Sequence, residues 1–138
     1  MIILLDLNYT LVANSKEKRQ PFISQIDNET YRPWLIKLVK KHHVILITAR
    51  PARYKEATLE SILKKTGWQP QESYFNSYGL APPEAKETIL NQHILHKQQG
   101  VLLAIESNPR TRAMYNKYGI HSIYVKGDEE WKTLPKTK

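Results

Sequence analysis

The amino-acid sequence predicts an α/β fold: a three-layer, Rossmann-like domain with a central parallel sheet. Three observations predict it. Short runs rich in Ile, Val and Leu recur along the chain, stretches of helical periodicity separate them, and polar residues follow the runs directly. Strands alternating with helices of 10 to 16 residues read as βαβ units. A chain of 138 residues fits one such domain and buries a sizeable core unaided.

The strands are residues 2–5, 44–47, 101–105 and 120–125, with a weaker candidate at 73–76. The first three are continuously apolar, as expected of strands covered on both faces. Residues 12–30 are polar and aperiodic, which predicts a long loop or flap. A helix over 31–42 carries Trp34, Leu35, Leu38 and Val39 on one face. The next, over 52–65, starts after Pro51 and stops before Thr66-Gly67. A third, over 83–98, stops at Gly100. The last, over 109–118, has Asn108 as N-cap, Pro109 in its first turn, and stops at Gly119. The domain is expected to span 1–125. Residues 126–138 form a basic tail, in which Trp131 and Leu134 are available to dock.

Composition excludes several classes. Apolar residues at 41% and charged residues at 25% rule out a disordered, collagenous or membrane-spanning chain. Absence of cysteine rules out disulfides and thiolate metal sites. The N-terminal residues reach Asp6 without a basic n-region or an apolar run of signal length, so a cytoplasmic protein is expected, with no membrane partner. The net charge of +8 favours a polyanionic partner, of which nucleic acid is the commonest. The tail supplies only +1 of it, so the excess lies on the body of the domain.

In an open α/β sheet, ligands bind at the carboxyl ends of the strands. Asp6-Leu7-Asn8-Tyr9-Thr10 follows the first strand, Thr48-Ala49-Arg50-Pro51 the second, and Glu106-Ser107-Asn108-Pro109 the strand at 101–105; Lys86 opens the helix before that strand. Singly, each has a bland reading: Asp6 as a turn former, Thr48 as an N-cap, Lys86 as a solvated side chain, Glu106 as a turn acid. Together on one rim they suit phosphoryl transfer. A carboxylate can attack phosphorus, two acids from different strands can hold Mg²⁺, and a hydroxyl with an ammonium neutralises the equatorial oxygens. Arg50, Arg53, Arg110 and Arg112 lie on the same rim as candidate phosphate contacts.

The pattern resembles the haloacid dehalogenase (HAD) superfamily, whose motifs run Asp-x-Asp-x-Thr, then Thr, Lys and paired acids. Asp6, Thr10, Thr48, Lys86 and Glu106 fall on these in order, over nearly the whole chain. The stretch Ile47 to Pro51, with Tyr54 and Thr58, is similar to the phosphatase domain of polynucleotide kinase–phosphatases. The resemblance implies a HAD-like fold and a Mg²⁺-dependent phosphatase that works through an aspartyl-phosphate. Its substrate would be a phosphorylated nucleotide or a single-stranded nucleic-acid end. It implies catalytic roles for Asp6, Asn8, Thr48 and Lys86, and substrate contacts from Thr10, Ala49, Arg50, Arg53 and Arg110. Asp6, the Asn8 carbonyl and Glu106 would hold the metal. Since 42 positions separate Asp6 from Thr48 and 38 separate Thr48 from Lys86, no cap domain is expected.

Two residues depart from the pattern. The second acid of the first motif is Asn8, which has no titratable proton and cannot act as general acid. The paired acids are Glu106-Ser107, so one charge is missing. Three readings follow: a phosphatase that is slow or uses another acid, a phosphate- or nucleic-acid-binding protein without turnover, and a phosphotransferase halted at the aspartyl-phosphate. Outside these motifs, His93 and His96 stand one helical turn apart but lack a visible third ligand, and Tyr74, Phe75 and Tyr78 are placed either to stack on a base or to pack beside the Lys86 helix.

Overall fold

The computed structural model describes residues 1–97, 100–127 and 129–135. Five parallel strands form one sheet in the order β3-β2-β1-β4-β5. They are β1 (Ile2–Leu5), β2 (His43–Pro51), β3 (Glu72–Asn76), β4 (Leu102–Ile105) and β5 (His121–Ile123). The helices are α1 (Phe22–Asn28), α2 (Pro33–Val39), α3 (Lys55–Thr66), α4 (Pro82–Ile89) and α5 (Pro109–Lys117). Strand β1 is central: Ile2 to Leu5 pair with His43 to Leu46 on one side and with Leu102 to Ile105 on the other.

The strand period of two divides the core. Ile3, Leu5, Val44 and Leu46 point to one face, where Leu35 and Val39 of α2 and Ile62 of α3 cover them. Ile2, Leu4, Ile45 and Ile47 point to the other, against Ile89 of α4 and Met114 and Tyr115 of α5. This is the three-layer arrangement expected. Each fully buried aliphatic side chain contributes roughly 1.5–3 kcal/mol. Among the described residues no second folded unit interrupts the domain, and no helix is long and apolar enough to cross a membrane.

Four expectations need correction. Residues 12–30 are not all loop: they contain α1, and Val12 bridges Tyr31 in antiparallel fashion. Helix α1 is only seven residues long, so Phe22, Ile23 and Ile26 cover little more than one turn, and it is held from outside: Lys65 of α3 donates to the Asp27 carbonyl at its C-terminus, at 2.6 Å. Helix α2 starts at Pro33, not at residue 31, because the residue before proline is pushed out of the helical region and Tyr31 belongs to the bridge. Strand β2 runs on to Pro51 past a register shift against β3 between Ile47 and Pro51, so Thr48 to Arg50 lie on the strand itself. The helix expected over 83–98 breaks after Ile89 into a wider turn, Leu90–Ile94; its last residue, Gln98, lies outside the described residues. Tail residue Trp131 packs edge-on against Trp34, 5.4 Å between ring centroids, and Leu134 rests on the same core face. Asp128 and residues 136–138 of the tail lie outside the described residues.

Candidate active site

Asp6 is the first residue past β1, and its N–H donates to the Ile105 carbonyl at 2.9 Å, so the backbone ladder carries it to the carboxyl edge of the sheet. The chain then makes a wide turn, Leu7–Leu11, closed by the Leu11 N–H on the Asp6 carbonyl at 3.3 Å and the Val12 N–H on the Leu7 carbonyl at 3.0 Å. Tyr9 takes the left-handed conformation here, with φ 62°. That returns Thr10 to the start of the turn, where its hydroxyl donates to Asp6 Oδ2 at 2.8 Å.

Two buried charge clusters flank this turn. In the first, Lys86 of α4 donates from Nζ to Asp6 Oδ1 at 2.8 Å and to Glu106 Oε1 at 2.5 Å. Glu106 follows β4, and its other oxygen accepts the Asn108 N–H at 3.1 Å. All three side chains are at least nine-tenths buried. Burial alone would raise the pKa of Asp6, but Lys86 and the hydrogen bonds from its neighbours outweigh it and hold the carboxyl below its ordinary range. Burial likewise opposes the Lys86 charge, and the two carboxylates more than compensate, pushing its pKa up. Glu106 goes the other way. Burial and the Asp6 charge push it up to about 7, against the pull of Lys86.

The second cluster sits on the far side of Asn8. The Arg50 guanidinium is 3% exposed and makes a two-pronged pair with Glu29, which is 2% exposed. It also donates to Thr58 Oγ1 at 3.0 Å and to Asn8 Oδ1 at 2.9 Å, and the Phe22 ring covers it. Because arginine only donates, the carboxamide oxygen of Asn8 is committed to Arg50 and the NH₂ is turned away from it. Arg50 therefore reaches the site through Asn8.

Between Asp6 and Asn8 stands Ser107. Its hydroxyl lies 2.9 Å from Asp6 Oδ2 and 3.2 Å from the Asn8 carbonyl oxygen. Three oxygens of different types, a carboxylate, a carbonyl and a hydroxyl, thus face one another. Mg²⁺ takes oxygen ligands and is commonly held by one or two carboxylates with waters and phosphate, so this set fits the ion. The donors differ from those expected. Glu106 was the anticipated third ligand, yet both its oxygens are turned to Lys86 and Asn108, and Ser107 occupies the position facing Asp6 and Asn8. Among the described residues no group of three His, Cys, Asp or Glu side chains is placed to hold a metal, which leaves His93 and His96 without a third partner.

Asp6, Asn8, Thr10, Lys86, Glu106 and Arg50 are thus joined by hydrogen bonds. Thr48 is 1% exposed on β2, and its oxygen accepts the Arg50 N–H at 3.1 Å. Ala49 is half-buried beside it. The other arginines stand further out. Arg53 is exposed over the Tyr54 ring, Arg110 is exposed at the start of α5, and Arg112 donates to Ser122. Tyr74 stacks on His93 at 4.8 Å, and Phe75 is part of the core. Sequence reasoning missed Glu29 and the placement of Ser107. A lone Glu at the end of a featureless stretch carries no signal; Ser107 does, since it replaces the second of two expected acids.

No family model and no curated protein matches the sequence. Solved structures match the fold. A chain of the Pnkp1/Rnl/Hen1 RNA repair complex superposes with a TM-score of 0.76 at 18% identity, over 93% of this chain and 43% of that one. A second structure of the Pnkp1/Rnl/Hen1 complex gives 0.70 at 16%, over 90% and 45%. The HAD domain of the effector Lem4 from Legionella pneumophila gives 0.55 at 11%, over 95% and 88%. The chain has a HAD-like fold, and it spans less than half the length of the Pnkp1-complex chains it matches.

Proposed function

We propose that this domain is a HAD-type phosphomonoesterase in which Asp6 attacks the phosphorus of a nucleotide or nucleic-acid phosphate ester. One observation carries the reading: a carboxylate held ionised at the carboxyl edge of the central strand, bonded by Lys86 on one oxygen and by Thr10 and Ser107 on the other. An Asp oxygen forms the bond to phosphorus, the ester P–O bond breaks, and its electron pair stays on the leaving oxygen. Lys86 and the Thr48 hydroxyl are the groups to share the equatorial oxygens. Asp6, the Asn8 carbonyl and Ser107 would hold Mg²⁺, which when bound supplies charge neutralisation and alignment of the phosphate. The Asn8 amide donates a hydrogen bond to the leaving oxygen but gives it no proton, and it cannot activate water for the second half of the reaction. Turnover is therefore slow and limited by release of phosphate from Asp6. The +8 charge supports nucleotides or nucleic-acid ends as the substrate class.

Hydrolysis of 4-nitrophenyl phosphate and of a terminally phosphorylated oligonucleotide tests this. Both should require Mg²⁺, stop on chelation, and vanish in Asp6→Asn. Equal rates in wild type and Asp6→Asn would remove Asp6 as nucleophile. A wild type inert on every phosphomonoester, with Mg²⁺ supplied, would leave only phosphate binding.

A further inference from the structure

A cleft of about 500 Å³ opens beside the phosphate site and shares Ser107 with it. Its walls include Tyr9, Lys16, Arg32 and Tyr124. The two tyrosines are 45% and 41% exposed. Tyr9 is displayed at some cost, since it is the sole non-glycine residue with positive φ among the described residues, and its N–H is held by Ser15 Oγ at 2.8 Å. Cations already lie over both rings: Lys18 over Tyr9 at 5.0 Å, and Arg112 at 4.6 Å with Lys126 at 5.7 Å over Tyr124, measured to the ring centroids. Arg32 is fixed in place by donating from Nε to the Thr10 carbonyl at 2.8 Å. Among the described residues the one acid on the walls, Glu17, accepts a bond from Asn28 at 3.2 Å.

We propose that this cleft is a track for single-stranded nucleic acid leading to Asp6, with one base on Tyr9, another on Tyr124, and backbone phosphates on Lys16, Lys18, Arg32 and Arg112. Exposed aromatic rings with cations beside and over them suit an unpaired strand, because a base can stack on a ring as the cations turn to its phosphates. A free mononucleotide would use the phosphate site and at most one ring, whereas two rings and four cations fit a chain. The inference rests on the phosphatase reading for the place of the terminal phosphate, but the track itself needs no catalysis.

The test uses Asp6→Asn and a fluorescent ten-nucleotide strand without terminal phosphate, read by anisotropy. Binding should weaken about 50-fold between 50 and 200 mM salt, as four phosphate contacts require. Tyr9→Ala and Tyr124→Ala should each weaken it at least about fivefold, and a mononucleotide should compete poorly. If Tyr9→Ala fails to fold by circular dichroism, Tyr124→Ala and Lys18→Gln carry the test. No binding at 50 mM salt, unchanged affinity in the folded variants, or equal competition by a mononucleotide would each overturn the track. A wild type that binds the strand but hydrolyses no phosphomonoester would overturn the phosphatase reading alone. One that hydrolyses small esters while Asp6→Asn binds no strand would overturn the track alone.

Discussion

The two buried charge clusters on either side of the Leu7–Leu11 turn use similar residues and reach opposite ends. Glu29 and Arg50 are a closed pair: one carboxylate, one guanidinium, two parallel hydrogen bonds, and Thr58 and Asn8 taking further donors. Asp6, Lys86 and Glu106 are an open set, with two carboxylates for one ammonium. A closed pair has its charges matched and holds its neighbours still, although the buried Nε of Arg50 keeps an unused N–H. An open set has one carboxylate more than it has cations; burial first and the Asp6 charge second raise the pKa of Glu106, and a cation, or a phosphoryl group drawn to Lys86, would complete the set. Burial is alike in both clusters, so the charge count separates the closed cluster from the open one.

The sharpest way to break this comparison is Glu29→Gln. It leaves Arg50 buried without its counter-charge, and removal of one partner of a buried pair costs about 3–5 kcal/mol. Urea denaturation should show that loss. Asn8→Asp in the same chain restores a carboxylate to Arg50 from the other side. The double variant should regain part of the loss, giving a coupling of at least about 1 kcal/mol. Simple additivity would mean that Asn8 and Glu29 do not share Arg50.

The same residues show how much was legible in the sequence. The strand ends were, since apolar runs and the polar residues after them mark the carboxyl edge of a parallel sheet, and Asp6, Thr10, Lys86 and Glu106 do meet there. The destination of Arg50 was not. Its place after Thr48 marks it as a rim residue, but its partner, Glu29, lies 21 positions away at the end of a seven-residue helix too short for its apolar spacing to repeat. Long-range pairing of charges depends on packing between α1 and α3, which no local pattern encodes. The break at Ile89 was also hidden, because Leu90 and Ile94 continue the apolar spacing through the wider turn.

Asn8→Asp alone probes the site itself. A positioned general acid–base typically adds ~10²–10⁴ in rate. Here Arg50 faces position 8 and would favour the ionised carboxylate, so the gain should fall in water activation more than in protonation of the leaving group. We expect a rise of at least about tenfold on an ester with a poor leaving group. A burst of product equal to the enzyme concentration in wild type should disappear in the variant. An unchanged rate would show that another residue supplies the base.

A smaller effect is expected at Ser107. Ser107→Asp would set a second carboxylate against the point that Asp6 Oδ2 and the Asn8 carbonyl already face. The Mg²⁺ concentration that gives half of the full thermal shift should fall roughly tenfold, whatever the activity. Glu106→Gln should move that concentration little, because the Glu106 oxygens face Lys86 and Asn108. The opposite pattern would return the metal to Glu106.

A last expected effect separates the clusters by pH in metal-free protein. Glu106 has its folded pKa raised from 4.5 to about 7, so between those values the folded chain holds a proton that the unfolded chain has released. Stability from this group is therefore fully present below the unfolded pKa, falls as pH rises through the window, and levels off above about 7. The fall should be on the order of 3 kcal/mol, at about 1.4 kcal/mol per pKa unit, with the opposing pull of Lys86 already included. Asp6 has the opposite sign, its lowered pKa adding stability that is lost only in more acidic solution. Glu106→Gln should flatten the curve between pH 5 and 7 while keeping the acid limb that belongs to Asp6. Denaturation midpoints at half-unit pH steps would show it, and a slope that survives Glu106→Gln would place the titrating group elsewhere in the chain.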